Sequence, residues 1–390
     1  MDRRKFLSVA ASAPVVVPAV MVPAVVAPFC GPVFGASPNA FPRYKTVTRY
    51  KPQTVPGMPG RYPGQVFKVS AENSIDTTTE KINVPVMKEM IAQGMRGLTG
   101  MKDERDSWRS FFDPADIVGI KVNCSGAPLV MSSPEVVAEI CRNLMSVGVP
   151  AKNIWVYERF PEQMATVKYE DYVPAGVNVD GIEKTRQSIL GYDPSTYVEV
   201  DFFGEDDTRS MLVRHVTQRF TKIINVPNMK DHGASGVTGC LKNIAYGNFS
   251  NVARSHQFSK TNTLSFIGTL ASTEPLRSKV TLNIMDGLRG VWHGGPFLHD
   301  KKFRFYPKQM MFGTDPVAMD RLLLDVVEAR RKQEGAISVW DRSAANVRPG
   351  FDKDPNANNF VREPGHIEFA AALGLGTYDV KKIQLKAVTI

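Results

Sequence analysis

At 390 residues the chain is long enough for a sizeable core and for one large domain or two ordinary ones. Its 43% hydrophobic and 22% charged residues sit near the globular average, which excludes a largely disordered chain. The formal charge of +9 is compatible with anionic ligands or a membrane surface, but the basic residues are scattered with no Lys/Arg run interleaved with aromatics, so a solvated basic surface is the favoured reading and no nucleic-acid partner is expected.

The first stretch, Asp2-Arg3-Arg4-Lys5-Phe6-Leu7, precedes an apolar run rich in Ala, Val and Pro. Paired arginines followed by Phe-Leu and an apolar region resemble a twin-arginine export signal over residues 1–37. Prolines such as Pro14, Pro18 and Pro23 argue against a regular spanning helix, because each removes a backbone donor. Anchoring by an uncleaved N-terminus is therefore the less favoured reading. The resemblance implies passage through the twin-arginine translocase as a folded protein and a periplasmic or extracellular location.

Residues 38–114 read as an extended arm, rich in Pro, Gly and basic side chains, followed by a first helix near residues 84–97. Residues 116–124 (DIVGIKVNC) form a β-branched run expected as a buried strand. A helix follows, with Ser133 as its cap, Pro134 in its first turn and Gly148 at its end. A second strand at 153–158 completes a strand–helix–strand unit. Further strands are expected at 197–203, 221–226, 279–285 and 382–388, with helices at 240–246, 315–330 and 364–373. Asp315 reads as the cap of the long helix and Asp320 as a residue on its surface. Strands alternating with helices predict an α/β fold, a mostly parallel sheet flanked by helices, as a single large domain with insertions over residues 115–390.

In such sheets ligands bind beyond the carboxyl ends of the strands. That rule selects residues 123–126, Glu158-Arg159, residues 227–243 and Asp286-Gly287. The densest of these is VPNMKDHGASGVTGCLKN, residues 226–243. Gly233, Gly236 and Gly239 recur every third residue before a helix, where bare backbone and free N–H groups favour an anion. A tight turn that needs glycine for packing is the competing reading. Lys230 and Lys242 add positive charge. His232 and His256 are the candidate proton-transfer groups, with Lys230 stabilising a developing negative charge. His232, His256 and Asp286 form a candidate set of divalent-metal ligands, although no closely spaced pair supports it. Cys240 at a helix start could be a reactive thiolate, and Cys124 ends a strand; Cys141 reads as a small buried hydrophobe. No CxxC occurs, so an iron–sulfur site has no support.

The segments DIVGIKVN with SSPEVV, INVPNMKDHGASGVTGCLKN, MDGLRGVWHGGP and FGTDPVAMD together resemble the family known as domain of unknown function 362. The resemblance implies an α/β fold and a shared site around Lys121, Asn123, Lys230, His232, Lys242 and Asn243. Many relatives carry four-cysteine clusters; this chain has none. The expected function is an exported soluble protein whose basic, glycine-lined pocket binds an anionic small molecule, as an enzyme of unassigned reaction, with or without a metal. A non-catalytic binding or accessory protein is the alternative, and a redox protein using Cys124 and Cys240 ranks last.

Overall fold

The computed structural model describes residues 42–53, 57–184, 189–257, 260–298 and 300–390, so the expected export signal lies outside the described residues. Five strands form a parallel array: Val280–Val291, Lys222–Asn225, Val118–Lys121, Ile154–Glu158 and Asn178–Gly181, in that spatial order. Their short β-branched runs explain the choice of strand, and burial on both faces explains why the runs do not alternate with polar residues. Ile223 packs into one hydrophobic cluster and its neighbour Ile224 into the other. One cluster lies under the helices Val84–Thr99 and Pro134–Ser146, the other under Gly239–Tyr246, Thr263–Ala271 and Pro316–Gln333.

The sheet is parallel only in part. Gln309–Gly313 runs antiparallel to both its neighbours, Val280–Val291 and Gln65–Ser70. Gln384–Thr389 then pairs parallel with Gln65–Ser70 at the edge. The stretch expected as an arm thus supplies a strand inside the large sheet. Lys45–Val47 also joins an antiparallel three-stranded sheet with Tyr192–Glu199 and Arg209–Val213. Residues 42–390 form one unit rather than an arm and a separate body.

Of two expected helix caps, one forms as expected and the other does not. Asp315 caps the long helix, its carboxylate accepting from the Ala318, Gly64 and Thr377 amides. Ser133 does not cap with its hydroxyl; its backbone N–H instead donates to Asp286 Oδ2 at 2.7 Å. Among the described residues no helix is long and apolar enough to cross a membrane.

Candidate functional site

Register places Lys121 beside Asn225 and Tyr157, so three parallel strands end at Lys121, Glu158 and Asn225 on one level. Beyond that edge, the chain from Asn228–His232 into the Gly239–Tyr246 helix closes over the strand ends. The result is a cleft of about 340 Å³, at the small end of ligand-binding pockets, which span roughly 300–1,000 Å³. Lys121, Asn123, Lys230, His232, Lys242, Asn243 and His256 all line it, as do Glu158 and Arg159. The half-exposed Phe297 stands among the lining residues, with Phe351 and Phe360.

The floor is a closed polar network. Lys121 Nζ donates to Glu158 Oε1 at 2.8 Å, a pair buried on both sides. Lys230 Nζ donates to Asn123 Oδ1 at 2.7 Å and to the carbonyls of Ser125 and Pro296. Burial draws Lys230 down to about 7. Three oxygen acceptors each call for one N–H, however, and only the ammonium has three, so they hold the charged form in place. From Asn123 a relay of side-chain amides crosses the strand ends. Asn123 Nδ2 donates to Asn243 Oδ1, Asn243 Nδ2 to Asn225 Oδ1, and Asn225 Nδ2 to Asn283 Oδ1, at 2.9, 2.7 and 2.9 Å. Every amide in the relay both donates and accepts a hydrogen bond, which fixes the orientation of the floor.

The wall differs. Lys242 Nζ stands 3.8 Å from the centroid of the Tyr246 ring and, among the described residues, has no carboxylate partner and no hydrogen-bond acceptor. Burial, then the Lys230 and Arg159 charges, hold its amine well below the usual lysine value. Arg159 itself is taken up by Glu183 at 2.7 Å. His232 accepts the Ala234 N–H on Nδ1 at 3.0 Å, so its proton sits on Nε2, the ring nitrogen left for the cleft. Burial, followed by Lys242 and His256, keeps His232 well below the ordinary histidine value. His256, 5.8 Å away ring to ring, is brought down to about 4, by burial first and Lys242 second. Both histidines are therefore neutral near pH 7.

Several expected site residues take other roles. Asp286 does not line the cleft; its carboxylate is used by the Ser133 and Leu288 amides, and it does not join His232 and His256. Among the described residues no group of three or more His, Cys, Asp or Glu is arranged to hold a metal. The three glycines serve packing. A Cβ on Gly233 would meet Asn359 Oδ1 at 2.3 Å, and one on Gly236 would press on Pro364. Gly239, at φ +54°, would drive its Cβ to 2.2 Å from Asp320 Oδ1. Asp320 is not on the surface: it is fully buried, and its carboxylate accepts the Cys240 and Leu241 amides. The first amides of the Gly239–Tyr246 helix are already taken by this carboxyl group, so that helix start is not open to a ligand's anion. The same carboxylate, after burial, pushes the Cys240 thiol up, against the helix effect that would lower it. Cys124 is also buried and raised, and Cys124, Cys141 and Cys240 are all free.

The residues that sequence reasoning missed are Asn225, Tyr246, Phe360 and Asp320. Only Asn225 left a usable signal, as a polar residue closing an apolar strand in the company of Asn123 and Asn283.

The family described as Domain of unknown function (DUF362) matches residues 118–325, which hold the parallel strands and every cleft residue so far named except Phe351, Phe360 and Asn359. No curated protein matches the chain. A crystal structure of a protein from Thermotoga maritima is similar at 10% identity and a TM-score of 0.34, with 69% of each chain covered.

Proposed function

The chain belongs to the DUF362 family, and from that footing we propose that its cleft binds a small organic anion at Lys242. The observation that carries this reading is the contrast among the lining cations. Lys121 and Arg159 have carboxylate partners, Lys230 has three oxygen acceptors, and Lys242 has neither among the described residues. A cation left in a low-dielectric wall, beside other positive charges, creates the potential an anion would neutralise. Burial first, and the Lys230 and Arg159 charges after it, hold the Lys242 amine below its usual value; an anion bound beside it would raise that value, so binding should take up protons and weaken as the pH rises.

His232 and His256 stand beside this position and support an enzyme reading, with proton transfer at a ligand whose anionic group is held by Lys242. A binding or accessory protein would use the same cleft without turnover. The paired arginines Arg3 and Arg4, followed by Phe6-Leu7, support delivery through the twin-arginine translocase to the periplasm or beyond.

Titration calorimetry with acetate, phosphate, sulfate and benzoate tests the site. At least one anion should bind, with proton uptake that shows as a dependence on buffer ionisation enthalpy. Lys242→Met should weaken it by about 30-fold or more, the scale of one lost charge-assisted contact of roughly 2–3 kcal/mol. Unchanged affinity in that variant would remove Lys242 from the site. Export is tested separately: replacing Arg3 and Arg4 with Lys should leave the precursor in the cytoplasm.

A further inference from the structure

We infer that the ligand of this cleft is a planar aromatic compound carrying a single anionic group, its ring lying along His256 and Phe360 and its charge meeting Lys242. This rests on the anion reading above and narrows it to a chemical class.

The argument begins with how the rings are arranged. Lys242 Nζ lies over Tyr246 at 3.8 Å. Tyr246 stands 6.2 Å from His256 with 31° between the ring planes, and His256 stands 5.0 Å from Phe360 at 46°. The free cation is therefore one end of a continuous run of rings, all of them lining the cleft. Their polar handles are already used or neutral. The Tyr246 hydroxyl is bonded to the Ser255 hydroxyl, leaving its ring for contact. His256 is uncharged near neutral pH, so it offers an aromatic surface and no cation. Separations of 4.5–7 Å are those at which aromatic rings pair favourably, so a flat ring inserted along the run gains contacts that a saturated one would not.

Charge sets the other half of the class. Lys242 is the lining cation that has neither a carboxylate nor an oxygen acceptor among the described residues; Lys121 and Lys230 are held by oxygens, and Arg159 is paired with Glu183 through Nε. A second strong anionic group would have to compete with Glu183 for Arg159, since the rest of the lining offers it neutral rings and carbonyl oxygens in place of its water. A small inorganic anion would leave the ring run uncovered. One anionic group on an aromatic body matches both features.

The experiment uses the full chain and four probes: benzoate, cyclohexanecarboxylate, acetate and inorganic phosphate, each measured by calorimetry. Benzoate should bind at least about 30-fold more tightly than acetate or phosphate, and about threefold more tightly than cyclohexanecarboxylate. Phe360→Leu should cut benzoate affinity about fivefold and leave acetate unchanged. Phe297→Ala, at a half-exposed position where the fold should tolerate truncation, gives a second reading at the mouth of the cleft and should also weaken benzoate selectively. If acetate or phosphate binds in a Lys242-dependent manner and benzoate binds no better, the aromatic class is overturned while the anion site stands. If benzoate binds but neither phenylalanine variant affects it, the ring run is not its seat and the inference fails. If none of the four binds, the anion reading itself falls.

Discussion

Both the floor of the cleft and its wall carry lysines, yet only those of the floor are held by oxygens of the protein itself. Lys121 and Lys230 are bound to Glu158, Asn123 and backbone carbonyls, and the amide relay continues to Asn283. On the wall, Lys242 faces an aromatic ring and two neutral histidines. Buried charges that satisfy each other hold a structure together; a buried charge left over costs stability and is what a ligand can complete. The difference identifies which lysines belong to architecture and which to binding, although all three sit in one pocket.

The sharpest way to break this comparison is to remove one lysine from each side. Lys121→Met leaves Glu158 buried with its charge uncompensated and should cost about 3–5 kcal/mol, the scale measured for one-sided loss of buried pairs. Lys242→Met removes a buried amine that has no carboxylate or hydrogen-bond acceptor among the described residues and replaces it with a stem of similar shape, so folding stability should stay level or rise. Denaturant unfolding of the two variants against the wild type decides it. Equal losses would mean that Lys242 has a structural role and that the wall is not open.

The histidines provide a second, somewhat smaller effect. His256 takes its proton near 6.5 when unfolded but at about 4 when folded, so the unfolded chain binds more protons between those values. Stability linked to His256 is therefore complete above about pH 6.5 and is lost as the pH falls toward 4, by up to about 3 kcal/mol. His256→Gln removes this dependence. The stability difference between variant and wild type should shift by that amount between pH 7 and pH 4, in favour of the variant as acid increases. Subtracting the two proteins matters, because Asp320 is raised to about 7 and works in the opposite sense, losing stability as the pH rises through that value. A bound anion should raise the histidine and shrink the effect, which ties the titration to occupancy of the wall. A pH-independent difference would mean that His256 is not held neutral by the cleft.

Much of this was legible in the chain. The runs IVGIKVN and IINV carry strand signals by themselves; the strand-end rule selected Asn123, Lys230, His232, Lys242 and Asn243, the family resemblance added Lys121, and all six line one cleft. What escaped depended on partners distant in sequence. Gln309–Gly313 reads QMMFG, with no β-branched residue to mark a strand, and becomes one because Val280–Val291 and Gln65–Ser70 flank it. Phe360 lies in an irregular Pro/Asn-rich stretch, and only the fold lays it against His256. The even spacing of Gly233, Gly236 and Gly239 suggested backbone offered to a ligand. The structure gives those positions to Asn359, Pro364 and Asp320 instead, contacts that no local pattern records.

Asp320 carries the same contrast into a single helix. The first turn of Gly239–Tyr246 is closed by its carboxylate, one oxygen to the Cys240 amide and the other to the Leu241 amide, while Lys242 in that turn faces the cleft without a partner. Asp320 lies on the buried side of the long helix, among Val317, Leu323 and Leu324, and the missing Cβ of Gly239 is what admits its carboxylate. Asp320→Asn keeps the shape but turns one acceptor into a donor facing an N–H, leaving one amide unsatisfied. The expected cost is about 2 kcal/mol, within the range for a stranded buried hydrogen-bonding group. Because the variant retains Lys242 and its aromatic neighbours, affinity for the anion that binds the wild type should change by less than about threefold. Calorimetry and denaturant unfolding on the same sample separate the two outcomes. If binding fell as far as stability did, the helix start and the wall would be one site, and the division between internally satisfied floor and open wall would have to be redrawn with Asp320 on the side of the ligand.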